Sequence, residues 1–214
     1  MGDLVDVTTL AVALISVGGT LGGTLGGAVL SQRASREQIE RTEREQERKR
    51  QEQALQAKRD LYAALNTTAR AYRVAARDAV RASERGESVD PAALDAAKEA
   101  WADQYSQAQM VLAKDVLGVA SKLNRALGVG YSVVKQLPSS ADRDGAYERA
   151  KAWFSGPLSD GVHLLKVTLR HDLGVEADPH FEQTRAQMLS VLDSERRKLQ
   201  HLLAAEPAQA TESR

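Results

Sequence analysis

Cysteine is missing from the 214 residues of this chain, aromatic residues make up only 4%, and the formal net charge is zero. Without cysteine the chain has no disulfide, no thiolate nucleophile and no cysteine-ligated zinc. The balance of 29 basic and 29 acidic residues gives no support to a general affinity for nucleic acid. Scarce aromatic residues, many alanines and 27% charged residues favour an all-α fold.

Signatures of catalysis and of metal binding are missing as well. The four histidines lack the i, i+4 spacing of a helical zinc site, and no His-Glu-x-x-His is present. No Gly-Lys-Ser/Thr follows Gly128-Val-Gly130, and no Gly-x-Ser-x-Gly occurs. Asp142, Asp144 and Asp172 fall at predicted helix ends, where capping and the helix dipole would explain them. We therefore expect no catalytic residue, no metal, no cofactor and no enzymatic activity.

The longest charge-free stretch of the chain covers residues 7–32. An apolar run of this length predicts one transmembrane helix. Asp3 and Asp6 stand where a signal peptide carries positive charge, so we expect an anchor that is not cleaved. The first basic residues all follow the run: Arg33, Arg36, Arg41 and Arg44. The positive-inside rule then places residues 1–6 outside the cell membrane and residues 33–214 in the cytoplasm.

A four-residue repeat inside this run places six glycines on two adjoining ridges of the helix. The two ridges are Gly18, Gly22, Gly26 and Gly19, Gly23, Gly27. Leu21, Leu25 and Val29 form the opposite ridge. Bare backbone allows helices to pack closely in lipid, so we predict that the span self-associates. One ridge would suit a dimer, and two adjoining ridges would suit a ring or cluster.

We predict that residues 33–54, which follow the span, form a charged helical stalk. It is almost wholly polar and offers no coiled-coil seam. Acid-to-base pairs at i, i+4, such as Glu40–Arg44, would stabilise an exposed helix. At 1.5 Å per residue the stalk would extend about 35 Å.

Helical periodicity from residue 55 to residue 205 predicts a cytoplasmic antiparallel bundle of four or five helices. The first helix has a heptad-like apolar stripe, which begins at Leu55, continues through Tyr62 and ends before Gly86. Four later helices are expected. The first covers 91–137, and a short second helix follows a cap at Ser139 or Ser140. The third covers 158–173, and the last runs from Asp178-Pro179 through Leu202. Residues 206–214 are expected to form a disordered tail.

Five arginines of the first bundle helix fall on one side: Arg70, Arg73, Arg77, Arg81 and Arg85. Their spacing places them within an arc of roughly 120°. Because guanidinium groups suit phosphates and carboxylates, this arginine stripe is a candidate surface for lipid headgroups, a nucleic-acid backbone or an acidic protein. The alternative is a solvated face that acids on a neighbouring helix partly neutralise. Asp78 and Glu84 lie nearby in sequence and would weaken the positive charge.

The Gly/Thr/Leu span, followed by SQRASREQIERTEREQERKR and then LYAALNTTARAYR, resembles small actinobacterial membrane-anchored helical proteins of the KilB type. The resemblance covers roughly the first third of the chain. It implies a membrane role in the spread of plasmids through a mycelium.

Two functions stay open at this stage. The first is a single-pass anchor or scaffold that self-associates through its span and docks an unknown cytoplasmic protein. The second is a self-assembling membrane-active protein that forms a pore or lesion. A pore lining needs polar residues along one face of the span, and only Ser16, Thr20 and Thr24 are available. That shortage favours the anchor.

Overall fold

The computed structural model describes the backbone of residues 6–87, 91–175 and 178–212, and the side chains of 38–87, 92–175 and 178–205. Within these residues the chain is helical and contains no strand. The helices are α1 (Asp6–Glu84), α2 (Pro91–Gln109), α3 (Lys114–Gln136), α4 (Arg143–Ser155), α5 (Pro157–Asp172) and α6 (Phe181–Glu212), with a 3₁₀ turn at Leu137–Ser139. The chain divides into two compact units, residues 1–56 and residues 57–214.

In the first unit, every side chain from residue 38 to residue 56 is exposed. The predicted pair between Glu40 and Arg44 is present at 3.1 Å, and Gln51 donates a hydrogen bond to Glu47 at 3.0 Å. Such pairs on an exposed helix each contribute about 0.2–0.5 kcal/mol. This part of α1 is therefore a solvated charged helix, as its composition predicts.

The predicted span at residues 7–32 and its glycine ridges lie outside the residues whose side chains are described. Over 38–87, 92–175 and 178–205, no helix combines the length and the apolar character that a bilayer crossing requires. The side chains of 206–214, predicted as a tail, also lie outside the described part.

Within the described residues the second unit is an all-α bundle, in which the five helices α2 to α6 pack with the last part of α1. Helices α2 and α3 form an antiparallel hairpin. The Trp101 indole donates to Asn124 Oδ1 at 2.8 Å, and the Tyr131 hydroxyl donates to Asp95 Oδ1 at 2.8 Å. The predicted all-α bundle is confirmed.

Helices α4 and α5 run antiparallel to the part of α1 that belongs to the bundle. The Tyr147 hydroxyl of α4 donates to the carbonyl of Ser83 at 3.1 Å, and Asp172 at the end of α5 pairs with Lys58 at 2.6 Å. Helix α6 packs beside α5, where Leu192 lies against Gly161. Near the start of α6, Arg185 lies 3.5 Å from Asp115 at the start of α3.

The predicted apolar stripe of α1 is buried in the core of this bundle. Tyr62, Leu65, Ala69, Tyr72 and Ala76 are each at most 3% exposed. The stripe begins at Tyr62 rather than at Leu55, which is 41% exposed on the solvated first unit.

Leu202 of α6, the last apolar residue named in the predicted final helix, is 48% exposed. The side chain lies at the rim of a shallow groove between α4 and α6. Trp153, Pro157 and Leu199 also line this groove.

The expectation of one helix over 91–137 was also wrong, because the chain turns back at residues 110–113. Ala113 adopts an extended backbone with ψ of 150°, although the segment contains no glycine or proline. Folding back brings Trp101, 2% exposed, onto the Asn124 turn of α3, and it leaves Met110 88% exposed in the turn. Burial of large side chains outweighs the modest helix propensity that would have continued the helix.

Helix ends follow the predicted signals in part. Gly86 and Gly174 adopt positive φ values of 72° and 68°, the left-handed conformation that ends a helix, as their positions predict. The expectation that capping explains Asp142 is confirmed, because its carboxylate accepts from the N–H of Gly145 at 3.0 Å and caps α4. The expected cap at Ser139 or Ser140 was wrong because the 3₁₀ turn occupies this stretch and delays the start of the helix.

We predict that two neighbouring glycines of α3 respond in opposite directions to alanine. At Gly130 an added Cβ would lie 3.1 Å from ring atoms of Phe154 and Trp153, whereas at Gly128 it would meet nothing within 4 Å. Gly130→Ala should therefore destabilise the bundle by about 1–3 kcal/mol. Gly128→Ala should stabilise it by about 0.5–1 kcal/mol.

Urea unfolding followed by tryptophan fluorescence measures this difference, since Trp101 and Trp153 both lie in the core. Equal unfolding midpoints for the two variants would contradict the packing described around Gly130.

Candidate functional site

The arginine stripe lies on the side of α1 that borders α4 and α5. At about 100° per residue, Arg73 sits roughly 60° from the centre of the buried stripe, and Arg70, Arg77 and Arg81 sit about 100–140° from it. Arg85 lies roughly opposite the core. The five arginines share one side, as predicted, but their surroundings differ.

Arg73 is a packing residue rather than a free binding group. Its Nη1 donates to the carbonyl of Phe154 at 3.3 Å. Phe154 lies in the last turn of α4, where carbonyls lack helical partners and positive charge complements the helix dipole. Burial lowers the pKa of Arg73, and the charges of Arg77 and Arg70 lower it further. The Nε of Arg73 is buried and has no hydrogen-bond partner in the described part.

Arg77 and Arg85 are neutralised by acids close to them in sequence. Both Nε and Nη2 of Arg77 lie 3.2 Å from Asp78 Oδ1. Arg85 forms a two-pronged pair with Glu87 at 2.6 and 2.7 Å, and this hydrogen bonding raises the pKa of Arg85. The expected weakening by Asp78 is confirmed, whereas Glu84 pairs with Lys151 of α4.

Arg70 and Arg81 stay exposed, and neither side chain forms a hydrogen bond or ion pair within the described residues. Arg59, which is exposed and unpaired in the same sense, lies on the same side of the helix. These three residues are spaced by eleven positions, about three turns or 16 Å. We call them the arginine face. Arg59 was missed because it precedes the buried stripe, although the eleven-residue spacing would have found it.

Asp172 connects the start of the bundled part of α1 to the end of α5. Its carboxylate accepts a hydrogen bond from the Tyr62 hydroxyl and pairs with Lys58 Nζ at 2.6 Å. Burial alone would raise the pKa of Asp172, but the hydrogen bonds and charge of its partners outweigh burial and lower the pKa. Burial, together with the Asp172 hydrogen bond, raises the pKa of Tyr62.

The expectation that the helix dipole explains Asp172 was wrong. Asp172 is the last residue of α5, and the C-terminal end of a helix disfavours a carboxylate. The partners on α1 are what stabilise its charge.

A second polar cluster joins α2 and α3. Asp95 accepts from Tyr131 and pairs with Lys135 at 3.2 Å, and these contacts lower the pKa of Asp95. Lys98 lies 4.1 Å from the centre of the Tyr131 ring. Tyr72 of α1 is buried, with 2% of its surface exposed. Burial raises the pKa of Tyr72, and the nearby Tyr131 and Asp95 raise it further.

Beyond this cluster, α2 exposes two acids, Glu99 and Asp103, which we call the acidic face. Over the described residues neither forms a hydrogen bond or ion pair. At about 100° per residue both point away from the buried side that carries Leu94 and Trp101.

The described side chains contain no group of three or more His, Asp or Glu placed to hold a metal ion. The chain matches no family model, no curated protein and no solved structure. A function therefore has to be inferred from the residues of the chain itself.

We predict that Asp172→Asn removes part of the acid sensitivity of the bundle. Because the folded pKa of Asp172 lies below its unfolded value, its contribution is fully present above about pH 4. The contribution is lost as the pH falls through the folded pKa. At pH 7 the urea midpoint of Asp172→Asn should be lower than that of wild type. At pH 2 the two midpoints should differ little.

Asp103→Asn is the matched control, since Asp103 is exposed and unpaired in the described part, and it should follow the wild type throughout. A constant gap between Asp172→Asn and wild type from pH 7 to pH 2 would contradict the role given to the Asp172 charge.

Proposed function

We propose that this chain is a single-pass membrane anchor whose cytoplasmic bundle acts as a scaffold and docks a protein partner. The observation that carries the proposal is the charge-free run at residues 7–32, with acids before it and arginines directly after it. That pattern favours insertion with the N-terminus outside and the bundle in the cytoplasm of a cell membrane.

The character of the bundle supports a scaffold rather than a catalyst. Its interior is filled by apolar side chains from all of its helices. Several of its polar side chains form pairs that join different helices, such as Lys58–Asp172 and Lys135–Asp95. The arginine face is one exposed surface whose charges these pairs leave unneutralised, and it suits an anionic protein partner.

Self-association of the span belongs to the same proposal. The ridges of Gly18, Gly22, Gly26 and of Gly19, Gly23, Gly27 would bring backbones together in the bilayer. A homo-oligomer would present several copies of the bundle on one side of the membrane, and multiple copies strengthen the capture of a multivalent partner.

The second candidate is a membrane-active protein that assembles a pore or lesion, with a role in plasmid spread. The same glycine repeat and the resemblance to KilB-type proteins favour it. The scarcity of polar residues in the span weighs against it, because a pore lining would have to be built from Ser16, Thr20 and Thr24.

We predict that the N-terminus lies outside the cell and the bundle in the cytoplasm. Single cysteines placed in this cysteine-free chain test this topology. In intact cells Asp3→Cys should react with an impermeant thiol reagent, whereas Met110→Cys should react only after the membrane is opened. Met110 is 88% exposed, so its protection would reflect the membrane and not the fold. Labelling of Met110→Cys in intact cells would exclude the proposed orientation.

We predict that Gly22→Ile with Gly26→Ile weakens self-association in the membrane, because each branched side chain separates backbones that would otherwise touch. Leu21→Ile with Leu25→Ile is the control and should have little effect. Chemical cross-linking in native membranes measures association, and release of a vesicle-trapped dye measures leakage. Loss of leakage together with association would favour the lesion-forming candidate, and unchanged cross-linking would refute the glycine packing.

A further inference from the structure

A groove of about 500 Å³ lies between α3 and α6 and opens to solvent. Among the residues that line it are Arg125, Gly128, Ser132 and Gln136 of α3, together with Arg196 and Gln200 of α6. Their spacing of three or four positions places them on one face of each helix. The α3 side of the groove covers eleven positions, or about 16 Å.

The charge of this α3–α6 groove is positive. Residues 116–141 contain no Asp or Glu, and the charged residues that line the groove in the described part are Arg125 and Arg196. The Arg125 side chain is exposed and forms no hydrogen bond or ion pair within the described residues. Arg196 lies 3.0 Å from Asp193, which Arg197 also approaches at 3.6 Å. One carboxylate therefore serves two guanidinium groups, and a surplus of positive charge stays at the groove.

Polar side chains beside the arginines have hydrogen-bonding capacity to spare. The amide of Gln136 has no hydrogen bond in the part of the chain that the structure describes. The carbonyl oxygen of Gln200 accepts from Arg196 at 2.9 Å, and its amide nitrogen is still able to donate. Ser132 donates to the Gly128 carbonyl at 3.3 Å, so its hydroxyl oxygen is able to accept. Donors and acceptors together match the N–H and C=O groups of a peptide backbone.

We propose that the α3–α6 groove binds a short, extended, acidic peptide segment of a protein partner. A carboxylate of the peptide binds Arg125, and the peptide backbone lies against Gln136 and Gln200. Guanidinium and carboxylate groups form paired, charge-assisted hydrogen bonds. At about 3.3 Å per residue, roughly five extended residues cover the 16 Å of the groove. The inference rests on the proposed function in one respect, the docking of a protein by the bundle.

An extended peptide fits this groove better than a helix or a small molecule does. The backbone groups of a helix are already paired within the helix, so the two glutamine amides would find no backbone partner. Small-molecule sites bury about 70–90% of their ligand. This groove is open instead, since Gly128 and Gln200 are exposed. A peptide that continues beyond the groove at both ends needs no such enclosure.

The first arm of the test measures peptide binding to the full-length chain, purified in detergent, by fluorescence anisotropy. The probe is a pool of fluorescein-labelled pentapeptides with Glu at two positions and mixed residues at the other three. The control pool has Gln in place of Glu. The Glu pool should bind about tenfold more tightly, and salt should reduce this advantage. Equal binding of the two pools, or no binding of either, would overturn the proposal.

The second arm locates the carboxylate. Arg125→Gln should weaken binding of the Glu pool by about tenfold and leave binding of the Gln pool unchanged. Arg70→Gln is the matched control, because Arg70 is also an exposed arginine whose side chain has no partner in the described part, and it should have no effect. Loss of binding in Arg70→Gln but not in Arg125→Gln would assign the peptide to the arginine face and overturn the groove site.

The third arm blocks the groove without disturbing the core. An added Cβ at Gly128 meets nothing within 4 Å, so Gly128→Leu should fill the groove, abolish binding of both pools and leave the urea midpoint no lower than that of wild type. Gly118→Leu is the matched control, since its Cβ also meets nothing and Gly118 does not line the groove. It should bind as wild type does. Full binding by Gly128→Leu would contradict the site.

Membrane insertion is measured separately, by carbonate extraction of cells that express the same variants. Groove-dependent binding by a chain that carbonate releases from the membrane would support the peptide site and refute the anchor. An inserted chain whose binding ignores Arg125→Gln and Gly128→Leu would overturn the peptide site and leave the anchor intact.

Discussion

The burial of one face of α1 is the constraint on which the rest of the bundle depends. Tyr62, Leu65, Ala69, Tyr72 and Ala76 are all but enclosed by the other helices. The alanines allow close approach, and the tyrosines fill the space between them. A shift of one residue would rotate this face by about 100° and turn charged side chains toward the core. The packing of α1 therefore decides which arginines face solvent.

Polar contacts hold that packing in register along the length of α1. Within the bundled part of α1, Lys58 and Tyr62 near its start contact Asp172, Arg73 contacts the Phe154 carbonyl, and Glu84 at the end of the helix contacts Lys151. Half-exposed pairs of this kind add little stability by themselves, since water and salt screen them. Their effect is to fix the position of α1 along the bundle, because a shifted α1 would leave a carboxylate, a guanidinium and a carbonyl without partners.

The sequence predicts those features of the bundle that arise from neighbours along the chain. Local sequence patterns predict the helices and the buried stripe from Tyr62. They also predict the helix ends at Gly86 and Gly174. The α2–α3 turn does not, because no glycine or proline marks it and only the packing of Trp101 on α3 produces it. Asp172 and Lys58 are separated by more than a hundred positions, so their pairing has no local signal. For the same reason the sequence does not reveal that Arg73 packs on the Phe154 carbonyl. Arg59 was left out although its eleven-residue spacing from Arg70 is visible in the sequence.

A stripe of like charges on a helix overstates the surface that can bind a partner. Here one arginine satisfies a helix end, two are neutralised by adjacent acids, and two of the five remain available. An arginine that is paired or packed in this way still counts in the sequence pattern, but its charge is not available to a partner. The remaining charges are separated by whole turns, which suits single carboxylates at matched heights better than a continuous anionic surface. Such spacing would suit a protein partner with its own spaced acids, as proposed for the arginine face.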